Sequence, residues 1–306
     1  MPTELFAAHA VLPGHPDAVC DSLADALVDA AVALDRAARC DVAVSRAGET
    51  LLVAGALPEA VDVAAVVGTA ARVERTPPVA GGHVVAVGQA IDQPGTNDLP
   101  AEYWLARHLA LRLGRVAPAG ELIVLLEGDD RPTRLAGFSC ALGPDALTAA
   151  MQKAVRAALQ DELAHLSRRV PGFDSRLPEG IALHPFAPPP HAASGRYSPL
   201  AGKDLAHPAR AAAIAARRLA KAVVRSGVAR SCRAVLTVVP GQEEAMIVGL
   251  SGDGQRLDPS RWAELVDRSL AGIGRRYAGV VSLAEVTRAG HFLRDDWPWE
   301  RVRFDP

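Results

Sequence analysis

Residues 16–55, "PDAVCDSLADALVDAAVALDRAARCDVAVSRAGETLLVAG", change period once, and that change decides how the chain is read. Up to Leu34, the apolar residues Val19, Leu23, Leu27 and Leu34 recur at helical spacing and mark the face a helix would bury. Pro16 suits the first helical position, where its missing N–H costs nothing. Asp17, Asp21, Asp25 and Asp29 make one acidic stripe, with Asp17 in the first turn, where the helix dipole favours an anion. From Cys40 the period drops to two. "CDVAVS" and "TLLVAG" are β-like runs around the turn-forming Arg46-Ala47-Gly48-Glu49. The stretch predicts a helix followed by a hairpin.

The order continues and then returns. A helical stretch, "PEAVDVAAVVGTAARVE", and a strand-like "HVVAVG" complete the first pass. In the second, "PAEYWLARHLALRL" reads as a helix and "ELIVLLEGDDRPTRLAGFSCAL" as a hairpin. The long helix "PDALTAAMQKAVRAALQDELAHL" and the strand "GIALHPF" follow. The third begins with the helix "HPARAAAIAARRLAKAVVRSG" and the hairpin "CRAVLTVVPGQEEAMIVGL". It ends with the helix "SRWAELVDRSLAGIGRRY" and the strand "VVSLAEV". Helix, hairpin, helix and strand, three times over, predict an α+β fold of three related domains, at 1–92, 93–187 and 188–306.

Composition narrows the function classes. The 306 residues carry a formal charge of −2, which excludes a basic nucleic-acid footprint over the whole chain. No apolar run approaches the roughly 18 residues that would span a bilayer, and "MPTELFAAHAVLPG" lacks the pattern of a secretory leader. Cys20, Cys40, Cys140 and Cys232 are scattered, without metal-ligand spacing. A cytoplasmic protein with buried free thiols is expected, binding neither nucleic acid nor membrane.

Two places carry candidate chemistry. His15-Pro16-Asp17 opens the first helix; His15 reads either as a cap or as a catalytic group, and Asp17 either as a solvated carboxylate or as a ligand for a hard cation. The second is "APPPHAASGRYSPLAGKDLAHPAR", too rich in Pro and Gly to hold regular structure for long. It reads as a linker, or as a phosphate-facing loop in which "LAGKD" offers glycine N–H groups and Lys203 just before a helix N-terminus. The chain's only lysines are Lys153, Lys203 and Lys221. A Mg²⁺-bound polyphosphate needs oxygen ligands for the metal and cationic donors for the remaining charge; His15, Asp17, Lys203 and Arg210 have that chemistry. Asp129-Asp130 fits a turn better than a metal site. Trp297 and Trp299, in "RAGHFLRDDWPWER", read as anchors for the C-terminal segment.

Three of these stretches together resemble methionine adenosyltransferases (S-adenosylmethionine synthetases). "GHPDAVCDSLADALVDAAVALD" with the hairpin ending "LLVAG" resembles their N-terminal region, "AGKDLAHPAR" their "SGKD" loop, and "GHFLRDDWPWE" their C-terminal "GHF…PWE" motif. The resemblance covers most of the chain in order and implies a short, divergent member with three similar domains in a pseudo-threefold arrangement. It implies transfer of the adenosyl group of ATP, or another nucleotide, to methionine or an analogue, with release of triphosphate or its hydrolysis products. Mg²⁺ and K⁺ would assist, in a homodimer with active sites between subunits. Carried over, His15 and Lys203 are the catalytic and nucleotide-binding pair, with Asp204, Arg210 and Asp92 on the nucleotide and Asp17 on the metal. The departures are specific. Ala43 and Ala56 stand where the family has glutamates, the first associated with K⁺ and the second with methionine. Glu121 stands where a triphosphate-contacting lysine is expected, and His207 and Ala209 replace a lysine and an aspartate past the loop. The alternative these losses raise is a catalytically impaired regulatory or structural subunit, alone or paired with a longer homologue.

Overall fold

The computed structural model describes residues 4–78, 82–129 and 131–302; Asp130 lies outside them. The chain begins with strand β1 (Glu4–Val11), helix α1 (Pro16–Leu34) and the hairpin β2 (Asp41–Ala47) and β3 (Thr50–Ala56). A five-residue helix α2 (Val63–Val67), β4 (Arg72–Arg75) and β5 (Val84–Ile91) follow. Next come α3 (Ala101–Leu113), β6 (Gly120–Gly128), β7 (Pro132–Leu142), α4 (Ala149–Arg169), β8 (Ile181–Pro185) and β9 (His191–Ala193). The last stretch holds α5 (Pro208–Arg225), β10 (Ser231–Val238), β11 (Met246–Gly252), β12 (Gln255–Arg256), α6 (Leu270–Tyr277) and α7 (Leu283–Ala289).

Each hairpin predicted from the sequence forms the middle of a four-stranded sheet. The orders are β4-β3-β2-β9, β1-β6-β7-β8 and β12-β11-β10-β5. Segments 1–92, 93–187 and 188–306 thus supply one hairpin each, but the outer strands are exchanged between segments. β1 pairs with β6, β5 with β10, and β9 with β2. No sheet is contiguous in sequence, and the division of the chain follows from that. One compact unit comprises Met1–Val19 with Gln93–Pro190; the other comprises Cys20–Asp92 with His191–Pro306.

In the first unit α3 packs on β1, β6 and α4. Its buried residues Leu105, Leu109 and Leu113 recur every fourth position against Leu122, Val124 and Leu126 of β6, and each buried leucine contributes roughly 1.5–3 kcal/mol. In the second unit α5 packs on β5 and β10, its Ala-rich face letting helix and sheet approach closely. The C-terminal segment is anchored there as expected. Trp297 and Trp299 are buried and donate their indole N–H groups to the carbonyls of Gly290 and His291 at 3.0 and 2.7 Å. Buried Glu300 accepts from Arg217 and Lys221 at 3.0 Å each. All four cysteines are buried and free.

Three predicted elements differ from the sequence expectation, and strands β1, β4, β9 and β12 were not expected. "VVSLAEV" is not a strand: Ser282 caps α7, its hydroxyl accepting the Glu285 N–H. The helix expected over 58–74 stops at Val67, where Gly68 turns left-handed, and the chain then adds β4 in parallel to β3. The helix expected over 260–277 is a short 3₁₀ turn at Pro259–Arg261 and, after an interruption, α6, capped by Ser269.

Candidate functional site

The head of α1, in the first unit, answers the question posed by His15. The Val19 N–H donates to the His15 carbonyl at 2.9 Å, so His15 is the residue at which the helix begins. Its ring also caps: the Asp17 N–H donates to His15 Nδ1 at 3.2 Å. A ring nitrogen that accepts carries no proton, so the proton of the neutral imidazole lies on Nε2. The ring is nearly buried and lies 5.3 Å, centroid to centroid, from Phe186. Burial holds its pKa below the ordinary imidazole value; Asp17 and Glu121 pull the other way, and His9 adds to the lowering. Gly14 is required by proximity, since a Cβ there would lie 1.8 Å from the Pro118 carbonyl oxygen. Glu121, on β6, is half-exposed and lies 3.2 Å from His9 Nε2. Asp17 is half-buried in the first turn. Among the described residues no cluster of three or more His, Cys, Asp or Glu groups is placed to hold a metal.

In the second unit the acidic stripe of α1 is a fastening. Asp21 accepts the Gly195 and Ser198 N–H groups at 2.6 and 2.8 Å. Asp25, wholly buried, accepts the Gly202 N–H at 2.8 Å, the Thr287 hydroxyl, and Arg210 Nη2 at 2.7 Å. Asp29 accepts the first N–H groups of α7 from Leu283 and Ala284. The Pro- and Gly-rich stretch is therefore an ordered loop rather than a linker, held by carboxylates far from it in sequence. Arg210, expected on the nucleotide, is wholly buried. Its guanidinium is taken up by Asp25 and the Leu200 carbonyl, so here it holds the loop.

That loop bridges onto the start of β2. Val42 donates to the Gly202 carbonyl at 2.8 Å and Asp204 to the Cys40 carbonyl at 3.1 Å, which makes Asp41 and Lys203 bridge partners. A Cβ on Gly202 would lie 1.8 Å from the Val42 oxygen, and its φ is +76°. Asp204 is buried and accepts from Cys40 N–H, Ala206 N–H and, at 3.4 Å, Arg39. Lys203 Nζ lies 3.8 Å from Asp41 Oδ1, and His207 Nε2 lies 3.5 Å from Asp41 Oδ2. Hydrogen bonding from His207, with the Lys203 charge adding to it, holds the Asp41 carboxyl below the ordinary aspartate value. His207 begins α5 as His15 begins α1, with Nδ1 accepting the Ala209 N–H at 3.2 Å and Pro208 next in sequence. Asp41, Ala56 and His207 line a cleft of about 700 Å³ whose apolar wall includes Val238 and Leu270.

The predicted residues thus fall into two groups, His15 and Asp17 in the first unit and Lys203, Asp204 and Arg210 in the second. Asp92, also in the second unit, is exposed just past β5, its N–H donating to the Arg230 carbonyl. Asp41 was not foreseen. Its only sequence signal is position, the first residue of a strand, and nothing local places it beside a loop 160 residues away.

A profile of the S-adenosylmethionine synthetase N-terminal domain matches residues 3–75. S-adenosylmethionine synthase 1 of Rhodospirillum rubrum is 24% identical over 372 aligned positions, covering 95% of this chain and 94% of that protein. The chain thus resembles the S-adenosylmethionine synthetases, by the N-terminal-domain profile over its first quarter and by a distant relative over nearly its whole length. Among its described residues no helix is long and apolar enough to cross a membrane.

Proposed function

We propose that the protein is an enzyme that binds ATP, or a related nucleotide, with Mg²⁺ and transfers its adenosyl group to methionine or a related nucleophile, releasing triphosphate or its hydrolysis products. The observation that carries this reading is the protonation of His15. With Nδ1 committed to the helix cap, Nε2–H is a neutral donor in a poorly solvated corner. Such a donor stabilises charge growing on a leaving phosphate oxygen without first having to take up a proton. Asp17 is the carboxylate for Mg²⁺. One carboxylate suits an ion that keeps several waters and draws its other ligands from phosphates. When bound, the metal would offset phosphate charge.

Lys203 is the cationic donor, on a loop fixed by Asp204, Arg210 and Asp25; Asp92 is retained as a nucleotide contact. K⁺ finds no carboxylate at position 43, because Ala43 offers no side-chain oxygen. Three sheets, each built on one hairpin, support the three-domain, pseudo-threefold reading. The resemblance supports a homodimer, and four free buried thiols support the cytoplasm.

The test is incubation of the purified protein with ATP, Mg²⁺, K⁺ and methionine, with products read by mass spectrometry. S-adenosylmethionine is expected, with loss of turnover in folded His15→Ala and Lys203→Ala variants. Intact ATP, or ATP hydrolysed without an adenosyl product, overturns the methionine reaction. Copurification with a longer homologue in that case would mark a non-catalytic subunit.

A further inference from the structure

The second unit already holds an anion where the proposed nucleotide would place one. Asp41 lies 3.8 Å from the Lys203 ammonium and 3.5 Å from His207 Nε2. Its position is fixed by backbone rather than by side-chain choice, because Asp41 and Lys203 are bridge partners between β2 and the loop. The loop in turn is tied down through Gly202 and Asp25. His207 has no freedom to turn its donor elsewhere: Nδ1 is occupied by the Ala209 N–H, so its proton stays on Nε2, the nitrogen facing Asp41. The Asp41 side chain is 58% exposed while those of Lys203 and His207 are 22% and 14% exposed. The donors are fixed and half-buried, and the acceptor is the member that can swing into water.

We infer that Asp41 is an intramolecular competitor, a carboxylate that occupies the Lys203–His207 donor pair and that a phosphate-bearing ligand must displace. The inference rests on the nucleotide reading above. A dianionic or trianionic phosphate chain can take both donors at once and remain charged, whereas a singly charged carboxylate ligand gains little over Asp41 itself. Occupation of the donor pair by Asp41 lowers the affinity of every competing anion by a common factor, so a polyphosphate, which takes both donors, still binds where a monophosphate or carboxylate is barely held. Across the hairpin Asp41 pairs with Ala56, whose methyl group presents no second acid at the paired position.

The experiment is calorimetric titration of the full chain with inorganic tripolyphosphate and with acetate, for the unmodified protein and for Asp41→Asn, Asp41→Ala and Lys203→Ala, each checked for folding by circular dichroism. Removing the competing charge should tighten tripolyphosphate binding about tenfold in both Asp41 variants, equivalent to about 1.4 kcal/mol. Lys203→Ala should weaken it, and acetate binding should tighten by a similar factor in Asp41→Asn and Asp41→Ala. Unchanged or weaker binding in both Asp41 variants, with Lys203→Ala still weakening it, overturns the competitor role and leaves the nucleotide reading standing. Tightening that survives in the Asp41→Ala/Lys203→Ala double variant overturns it too, since the anion then sits elsewhere. No binding by any variant overturns both.

Discussion

His15 and His207 begin helices in the same way and do different work. Each is followed by proline, and each lends Nδ1 to the N–H two residues on and keeps its proton on Nε2. His15 sits beside Phe186 with Asp17 at the second helical position. His207 has Ala209 there, and its Nε2 faces Asp41. One cap leaves an acid, Asp17, in the first turn; the other has Ala209 there and meets its acid, Asp41, from another strand. A shared local motif fixes a tautomer and a direction, and the neighbours brought by tertiary folding decide what that donor can serve.

The largest effect should come from breaking the frame that carries the second cap. Asp25→Ala leaves Arg210 wholly buried without its carboxylate and frees the Gly202 N–H. Removing one partner of such a pair costs about 3–5 kcal/mol, read as a fall in the urea midpoint of unfolding. Asp25→Leu with Arg210→Met should recover much of it. A loss below about 1 kcal/mol in Asp25→Ala would mean that the loop is not held through this pair.

Asparagine sharpens the comparison of the caps themselves. It is among the best N-cap residues, so His15→Asn and His207→Asn should both keep their helices while removing the imidazole donor. Turnover should fall about 10²- to 10³-fold in His15→Asn, the range for losing one donor to a developing oxyanion. For His207→Asn the fall should stay within about tenfold, since losing this donor to the ligand also loosens the competing hold on Asp41. Equal losses in steady-state kinetics would erase the distinction. Alanine at the two motif glycines separates crowding from backbone strain. Gly14→Ala and Gly202→Ala each bring a Cβ within 1.8 Å of a carbonyl oxygen, but only Gly202 has a left-handed φ. Gly202→Ala should therefore cost about 1–2 kcal/mol more than Gly14→Ala in thermal or urea unfolding.

Which parts of this were legible in the sequence follows from the range of the interactions. The hairpins and long helices were readable because period and turn residues are local. The α7 error was avoidable: Ser282 and Glu285 have capping-box spacing, a start signal that the apolar alternation of "VVSLAEV" obscured. The strand exchange was not readable, because β1, β5 and β9 look like any other short strands and their partners lie up to some 150 residues away. His15, Asp17 and Lys203 stood out as motif residues. Asp41 and the Asp25–Arg210 pair did not, since a carboxylate in sequence carries no mark of the partner it will meet. The acidic stripe is the plainest case: its spacing was read correctly, while its use as a fastening depended on loops from the other end of the chain.

The smallest effect is a difference in how the two units respond to acid. In the first unit His108 stacks on Trp104 at 3.9 Å. Its pKa is pushed down to about 4, by burial first and then by His165, Arg169 and Arg107. Below the unfolded value of about 6.5 the unfolded chain takes up a proton that the folded unit refuses. Stability contributed here is intact above that pH, is lost as pH falls toward about 4, and changes no further below it. His15, also lowered by burial, works in the same direction. Asp41 in the second unit has the opposite onset: its lowered carboxyl contributes stability above the ordinary aspartate value, and that is lost only as pH falls through a still lower one. Hydrogen exchange from pH 7 to pH 4 should thus show protection falling first in α3 and α4, while α5 and β10 hold. His108→Phe keeps the stack and removes the titration, so it should flatten the first unit's decline. A decline that survived His108→Phe unchanged would assign the acid sensitivity to other groups, His15 and His165 first among them.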